Sequence, residues 1–415
     1  MDDTGTTATT VAEAYLKALA DRGIRYVFAN GGTDFAPIIE GLVKFGEMGR
    51  QAPEFITVPH ENVAVAMATG YWEMSGEMAA VMVHVTVGTA NAVMGIMNAA
   101  RENMPVLLAA GRTPLTESGD PASRGFNIHW GQESFDQGGM LREYVKWDYE
   151  LRHGQPVDNI VGRAIDIAMS DPKGPVYLTL PREVLAGEAS STGPGARGRA
   201  PGNLPTQPTP EAIEQAADMI ADGDNVLIVA GTTGRDSAAA FHALSELAEE
   251  HAIAVVQPTA VNLPSSHPMN LGMPSQETLD WADVIVIMDA QVPWIPMIMT
   301  PGSDKKFIHI AIDPMYTRYP TRGWAIDLAV AGRSDAALPL LRQALGPKLK
   351  SKSKAVDARR AKIKEMRDAI KARQAARIEE VSSMYPIHPV WSAHCINQVK
   401  DADTIIANEI GVPLP

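Results

Sequence analysis

The residue with the clearest chemical potential is Glu61, in the segment VPHEN at residues 58–62. The apolar run VAVAMATGYW follows it directly, and these surroundings would strip water from the carboxylate and make it a candidate proton donor. An acid shortly after a proline also satisfies the ordinary preferences of a helix start. The segment alone leaves both interpretations open.

A second chemically suggestive segment is TVGTAN, at residues 86–91, between the strand-like VMVHV and a helical run. Small residues at a strand-to-helix turn let a ligand approach the backbone, and the start of a helix offers unpaired N–H donors. Many α/β loops share this composition, so the turn by itself does not identify a site.

Strand-like and helical patterns alternate over residues 10–185, beginning with the helical VAEAYLKALADRG. The strand-like runs are IRYVFAN, EFITV, AAVMVHVTV and PVLLAAG. A second alternating series ends near residue 345 and contains NVLIVAG, IAVVQ, DVIVIMD and KFIHIAID. Strands that alternate with helices predict parallel sheets and therefore an α/β fold.

The composition shifts along the chain predict its domains. A first domain at 1–187 is followed by a linker rich in Gly, Pro, Ser and Thr at 188–210, and by a second domain at 211–346. A helical connector rich in Lys, Arg, Glu and Ala occupies 347–384, either as a solvated helix or as a basic arm for a partner. Residues 385–415 offer one helix and one strand, which we interpret as the start of a third α/β domain.

Charge and cysteine content exclude several classes of protein. The net charge of −13 over 415 residues argues against nucleic acid as a partner. The single cysteine, Cys395, rules out an intrachain disulfide and a Cys-based metal cluster. The N-terminus MDDTGTTATT lacks the pattern of a secretory signal, and no run of about 18 apolar residues occurs. We therefore expect a cytoplasmic protein without a membrane span.

Several segments occur in the order of a known family: FANGG, PHEN followed by ATGYW, VTVGTANAVMGIMNAARENMPVLLAAG, GQESFD, VKWDYEL and GPVYLTLPREVL. Together they resemble the pyrimidine-binding domain of thiamine-diphosphate (ThDP) enzymes of the acetolactate synthase group. HIAIDPMYTRYPTRGWAIDLAVAGRSDAALPLL resembles the end of the Rossmann-like central domain of the same group. The resemblance implies that the third domain, begun at residue 385, is the diphosphate-binding domain.

The resemblance also implies roles for individual residues. Glu61 matches the catalytic glutamate, which hydrogen-bonds N1′ of the cofactor's aminopyrimidine and favours the imino tautomer that removes the C2 proton. The residues implied to line the cofactor are Gly31, Gly32, Pro59, Gly88 and Asn91. Those implied to lie near the substrate are His60, His129 and Gln132.

The implied function is cleavage or formation of a carbon–carbon bond next to a carbonyl. A 2-keto acid is the favoured substrate, in acetolactate-synthase-like carboligation or in decarboxylation. Two alternatives stay open: a 2-hydroxyacyl-CoA lyase, and a non-catalytic subunit that binds a nucleotide or a partner. The family site lies between two subunits, so the resemblance implies a homo-oligomer, a dimer at least.

Two features of the family are not matched in the chain. The Mg²⁺ that binds the diphosphate is held by a Gly-Asp-Gly segment and a later Asn. No such pair is present, and we expect the equivalent positions beyond Pro415. Pro274 lacks an N–H where a phosphate would need one, which argues against FAD. The turn GTTG at 231–234 is either a contact for ADP or another nucleotide or a plain strand–helix connection, and CoA binding stays open.

Overall fold

A computed structural model describes residues 10–190, 205–234 and 237–407. The chain forms two compact units, Met1–Pro205 and Thr206–Pro415. Most of the predicted linker at 188–210 lies outside the described residues.

The first unit is built on a six-stranded parallel sheet. The central strand β3 is buried along its whole length, as expected where helices cover both faces. The strand order is β2-β1-β3-β4-β6-β5. The strands are β1 (Tyr26–Asn30), β2 (Glu54–Thr57), β3 (Ala80–Val83), β4 (Leu107–Arg112), β5 (Asp148–Glu150) and β6 (Val176–Pro181).

Helices pack on both faces of this sheet, around two apolar cores. Two short 3₁₀ helices, Thr33–Phe35 and Gly138–Met140, lie in its loops. The α-helices are α1 (Val11–Asp21), α2 (Ala36–Glu47), α3 (Glu61–Ser75), α4 (Val85–Arg101), α5 (Ile128–Gly131), α6 (Val157–Met169) and α7 (Arg182–Ala186).

One predicted strand is shorter than its pattern. The run AAVMVHVTV at 79–87 ends in three β-branched residues, which favours a strand over its whole length. In the structure, β3 stops at Val83 and α4 begins at Val85. Hydrogen bonds at Val85 override the local preference. Its N–H donates to the distant Asp34, and its carbonyl accepts from the Thr89 hydroxyl one helical turn later, where Val85 has a φ of 31°.

The second unit contains a five-stranded parallel sheet in the order β11-β10-β9-β7-β8. Its strands are β7 (Val226–Ala230), β8 (Ala254–Val256), β9 (Val284–Met288), β10 (Lys306–Ala311) and β11 (Leu328–Ala331). Its helices are α8 (Pro210–Asp222), α9 (Ala238–His251), α10 (Gln276–Trp281) and α11 (Ser334–Lys350). The prediction of two parallel-sheet α/β domains is thereby confirmed.

Two further helices follow, α12 (Ser353–Val381) and α13 (Pro389–Val399). The predicted connector at 347–384 therefore comprises the end of α11 and all of α12. The strand predicted after α13 is not formed within the described residues 400–407, where no neighbouring strand offers it hydrogen bonds. Residues 408–415 lie outside the described part. None of the helices that the structure describes has both the length and the apolar composition needed to cross a bilayer.

Both sheets share one topological feature. In each, the first strand lies between the second and the third, so the chain direction across the sheet reverses between β1 and β3 and again between β7 and β9. Ligands of open α/β sheets bind outside the carboxyl ends of the strands at such switch points. The fold therefore points to two crevices, one in each unit.

Arg359 ties α12 to the second unit. Its guanidinium is buried and donates to the carbonyls of Ala252 (2.8 Å) and His251 (2.7 Å), which end helix α9. Because Arg359→Ala would leave these carbonyls without a donor, we expect a loss of about 2–3 kcal/mol in the free energy of unfolding. Urea titration of the full chain measures it. Lys364→Ala, which removes only an exposed ion pair with Asp368, is the control and should change stability by less than about 0.5 kcal/mol.

Candidate active site at the carboxyl ends of the first sheet

The centre of the first crevice is a contact between His84 and the buried Asp34, at the switch point between β1 and β3. Asp34 follows β1 in the 3₁₀ helix Thr33–Phe35, and His84 follows β3 directly. His84 Nδ1 lies 2.6 Å from Asp34 Oδ1, and the Val85 N–H donates to Asp34 Oδ2 at 3.3 Å. The Asp34 carboxylate is buried, while the His84 ring stays partly open to solvent.

These contacts favour the charged form of the imidazole. The hydrogen bond to Asp34 raises the pKa of His84 above its ordinary value of 6.5, and burial opposes the rise. The negative charges of Asp34 and Glu61 raise the pKa of His84 further. Because Nδ1 is engaged by Asp34, Nε2 is the ring nitrogen that can offer a proton to an anion or a reacting atom.

Two glycines make room for the pair. A Cβ at Gly32 would lie 2.1 Å from His84 Nδ1, and a Cβ at Gly111 would lie 1.7 Å from Asp34 Oδ2. Either side chain would displace its neighbour. Gly32 was predicted from the sequence as a cofactor-lining residue, and the structure explains it by contact with His84.

Glu61 lies beside this pair, at the first position of α3. Helix-start preferences account for its place: His60 is the N-cap, and its Nδ1 accepts from the Asn62 N–H at 3.1 Å. The Glu61 side chain is nevertheless buried, and Asn91 Nδ2 of α4 donates to its Oε2 at 3.1 Å. The two interpretations of Glu61 are thus compatible, since one residue both starts the helix and presents a shielded carboxylate.

The loop between β4 and β5 closes the other side of the crevice and carries Gln132. The Thr86 hydroxyl at the start of α4 donates to the Gln132 carbonyl at 2.8 Å. Arg112, the last residue of β4, donates to the Glu133 carboxylate at 3.0 Å and so holds the same loop to the sheet. Gln132 is therefore held against α4.

His129 lies in the same loop but is shielded. The Gly125 N–H donates to its Nδ1 at 3.1 Å, and the side chain is buried. Burial and the neighbouring cations Arg182 and Arg124 lower the pKa of His129 below 6.5, so its ring is neutral at pH 7. This environment makes His129 a poor candidate for a proton carrier at neutral pH.

The structure thus brings Glu61, Asn91 and the Gln132 loop to one edge of the sheet. The other predicted residues have more local contacts. A Cβ at Gly31 would meet Phe35 at 2.7 Å and one at Gly88 would meet Val83 at 2.9 Å, while Pro59 and His60 are exposed. Asp34 and His84 were missed by sequence reasoning. The available signal was their position at the switch point, since His84 follows β3 directly and Asp34 lies in the turn that follows β1.

The pair and Glu61 together fit an aminopyrimidine ring. Glu61 is a shielded carboxyl group that can hydrogen-bond a ring nitrogen, and Asn91 fixes its orientation. The arrangement can therefore hold a nitrogen heterocycle beside the imidazole of His84.

The turn at 231–234 in the second crevice has three of its backbone donors engaged. The Gly231 and Thr232 N–H groups donate to the carbonyls of Met288 and Asp289 at 2.9 and 3.1 Å, and the Gly234 N–H donates to Asn262 at 3.3 Å. A Cβ at Gly231 would lie 2.2 Å from the Asp289 carbonyl. These contacts favour a plain strand–helix connection over a phosphate contact at this turn.

Asp34→Asn tests the origin of the charge on His84. The substitution removes the main contribution to the raised pKa, so we expect the pKa of His84 to fall towards or below 6.5, as followed by NMR of ¹³C-labelled histidines. Glu77→Gln, which removes an exposed carboxylate that contacts Arg25 and Tyr71, is the control. An unchanged His84 titration in Asp34→Asn would contradict the assignment.

The raised pKa also has a consequence for stability. A histidine whose pKa is higher in the folded than in the unfolded chain stabilises the fold fully below about pH 6.5, and this contribution disappears as the pH rises through the folded-state pKa. The stability difference between the native chain and Asp34→Asn should accordingly be larger at pH 5.5 than at pH 9 in urea titrations.

Comparison with known proteins places this site in a family. Residues 9–140 match the family model described as thiamine pyrophosphate enzyme, N-terminal TPP binding domain. Residues 213–341 match the central domain of the same enzymes. The first match contains Asp34, Glu61, His84, Asn91 and the Gln132 loop.

Curated relatives and solved structures agree. The chain is 28% identical over 320 residues to an acetolactate synthase of Mycobacterium bovis, covering 74% of this chain and 49% of that protein. It is 28% identical over 292 residues to a benzoylformate decarboxylase of Pseudomonas aeruginosa, covering 68% and 52%. The chain therefore spans about half the length of these relatives.

The fold resembles the crystal structure of benzoylformate decarboxylase from Polynucleobacter necessarius, with a TM-score of 0.67, 20% identity and coverage of 81% of this chain and 61% of that one. At this identity the likeness shows the fold alone. The family is shown by the two family models, which match in order along both units. The chain belongs to the thiamine pyrophosphate enzymes.

Proposed function

We propose that the protein uses ThDP to break or form a carbon–carbon bond next to the carbonyl of a 2-keto acid. One observation carries the proposal: Glu61 is a buried carboxyl group at a helix start, oriented by Asn91 and close to His84, whose pKa is raised by Asp34. A shielded carboxyl group at such a crevice is a candidate functional group.

The site residues have distinct tasks in this proposal. Glu61 would donate a hydrogen bond to N1′ of the aminopyrimidine and so favour the imino tautomer, and Asn91 keeps its carboxyl group in the required orientation. When bound, ThDP supplies an electron sink for the carbanion next to the carbonyl. His84 holds a proton at Nε2, where it can bind a carboxylate or return a proton to the product.

The preference for a 2-keto acid rests on the charge of His84. Asp34 raises the pKa of His84 and so favours its charged form. A charged imidazole would attract an anionic substrate, and the α-carboxylate of a keto acid offers that charge next to the reacting carbonyl. Benzoylformate, which gives one group of relatives its name, is such an acid. The acyl-CoA alternative gains no comparable support, because three backbone donors of the turn at 231–234 are already engaged.

A second copy of the chain is part of the proposal. Helices α3 and α4 pack against each other and leave apolar side chains exposed on their outer side. These side chains are Val63, Met67, Met74, Val87 and Met94. An exposed apolar patch beside a site favours coverage by another subunit, and we propose a homo-oligomer whose site is completed by a neighbouring copy.

Mg²⁺ is proposed only as the companion of the diphosphate. Among the described residues, no group of three or more His, Cys, Asp and Glu side chains could hold a metal ion. We therefore assign no Mg²⁺ ligand among them.

Glu61→Gln tests the cofactor role. The amide keeps the shape but loses the charge, so the fold should persist while the rate of C2–H exchange of added ThDP, measured by NMR with Mg²⁺ present, falls by about 10²–10⁴-fold. Glu73→Gln removes an exposed carboxylate from the same helix and is the control. Equal exchange rates in the native chain and Glu61→Gln would refute the catalytic assignment.

His84→Gln tests the substrate class. The variant should weaken binding of benzoylformate by about 10–100-fold, as expected for a lost hydrogen bond to a charged group. Binding of benzaldehyde, which has the same ring and carbonyl but no carboxylate, should hardly change. Calorimetric titration in the presence of ThDP and Mg²⁺ measures both ligands. An equal loss for both would show that His84 does not recognise the carboxylate.

A further inference from the structure

A buried chain of side-chain hydrogen bonds runs beneath the candidate site. Gln137 precedes the 3₁₀ helix Gly138–Met140, Tyr177 lies on β6, and Thr89 lies in the first turns of α4. Gln137 Nε2 and Thr89 Oγ1 each lie 2.8 Å from the Tyr177 hydroxyl. All three side chains are buried among apolar residues, so each hydrogen bond is made without competition from water.

The direction of the chain follows from its donors. The Thr89 hydroxyl donates its proton to the Val85 carbonyl at 2.8 Å. Its oxygen can then only accept, so the Tyr177 hydroxyl donates to Thr89 and accepts from the Gln137 amide. The sequence of donors is therefore Gln137 to Tyr177 to Thr89 to the Val85 carbonyl.

The last acceptor of this hydrogen-bond chain is the carbonyl of a strained residue, Val85. Val85 has a φ of 31°, and positive φ is unfavourable for a β-branched residue. Such a conformation persists only where the surroundings fix it. Thr89 holds the Val85 carbonyl, and Asp34 holds the Val85 N–H from the other side. Because His84 precedes Val85 directly, this backbone conformation sets where the imidazole lies.

The same series of hydrogen bonds also contacts the loop that carries Gln132. Gln137 Nε2 also donates to the Gly111 carbonyl at the end of β4, at 2.8 Å. Gln137 Oε1 lies 3.3 Å from the Thr86 hydroxyl, which donates to the Gln132 carbonyl. One buried amide therefore contacts the sheet, the start of α4 and the loop.

We propose that Gln137, Tyr177 and Thr89 are positioning residues that hold Val85 in its strained conformation, and thereby place His84 and the Gln132 loop at the site. The proposal rests on the proposed function for the role of His84, but the position of His84 can be measured without cofactor or substrate. The three residues do not touch the reacting atoms and act through the backbone of Val85.

The experiment compares variants that remove a hydrogen bond of this series with variants that retain all of them. Tyr177→Phe and Thr89→Val each remove one hydroxyl and preserve the shape of the side chain, whereas Thr89→Ser retains the hydroxyl. Tyr149→Phe is the matched control. It removes a tyrosine hydroxyl that bonds Gln155, on the edge strand β5 of the same sheet. The readouts are the His84 titration by NMR and the amide hydrogen exchange of Val85 and its neighbours, on the full chain without ligands.

We expect Tyr177→Phe and Thr89→Val to move the pKa of His84 towards 6.5, because Asp34 and His84 lose their alignment, and to speed exchange at Val85 at least tenfold. Thr89→Ser and Tyr149→Phe should match the native chain in both readouts. If the first two variants only lower stability and leave both readouts at native values, the chain is merely structural and the proposal is overturned. Absence of ThDP-dependent turnover in the native chain would instead refute the proposed function and leave this result intact.

Discussion

The buried carboxylate of Asp34 is the constraint on which the site depends. An ionised carboxylate out of water must be paired and hydrogen-bonded, or its burial costs several kcal/mol. Here the imidazole of His84 and the N–H of Val85 supply the pairing. Two features of the site follow from this requirement. Glycines at positions 32 and 111 leave space for the contact between Asp34 and His84. The positive φ of Val85 directs its N–H towards Asp34.

The two sheets show that topology alone does not make a site. Both reverse direction at the same point in their strand order. In the first sheet, ionisable side chains from α3 and the strand ends meet at that point. In the second sheet, Asn262 donates to the carbonyls of Ala230 and Gly231. Arg322 donates to the carbonyls of Ala290 and Gln291. These side chains and carbonyls therefore hydrogen-bond one another. The fold offers the crevice, and the side chains decide whether it can receive a ligand.

Local preferences and tertiary contacts agree at Glu61 and conflict at Val85. The acid at the start of α3 satisfies the helix dipole while its side chain is turned into a shielded position against Asn91. Val85, in contrast, is β-branched and adopts a backbone conformation that it disfavours. Natural sequences break local preferences mainly where function or tertiary contacts require it, and the strained turn beside His84 is such a place.

The sequence by itself determined the alternation of strands and helices, the two α/β units, the family, and the position of Glu61 at a helix start, because periodicity and capping act over a few neighbouring residues. Only the tertiary structure decided which polar residues meet. Asp34 and His84 are 50 residues apart, Gln137 and Tyr177 are 40 apart, and Thr89 and Tyr177 are 88 apart. Their contacts depend on the order of strands in the sheet, which no local pattern encodes. For the same reason, the end of β3 at Val83 could not be predicted from the β-branched residues that follow it, since the Val85 N–H bonds the distant side chain of Asp34.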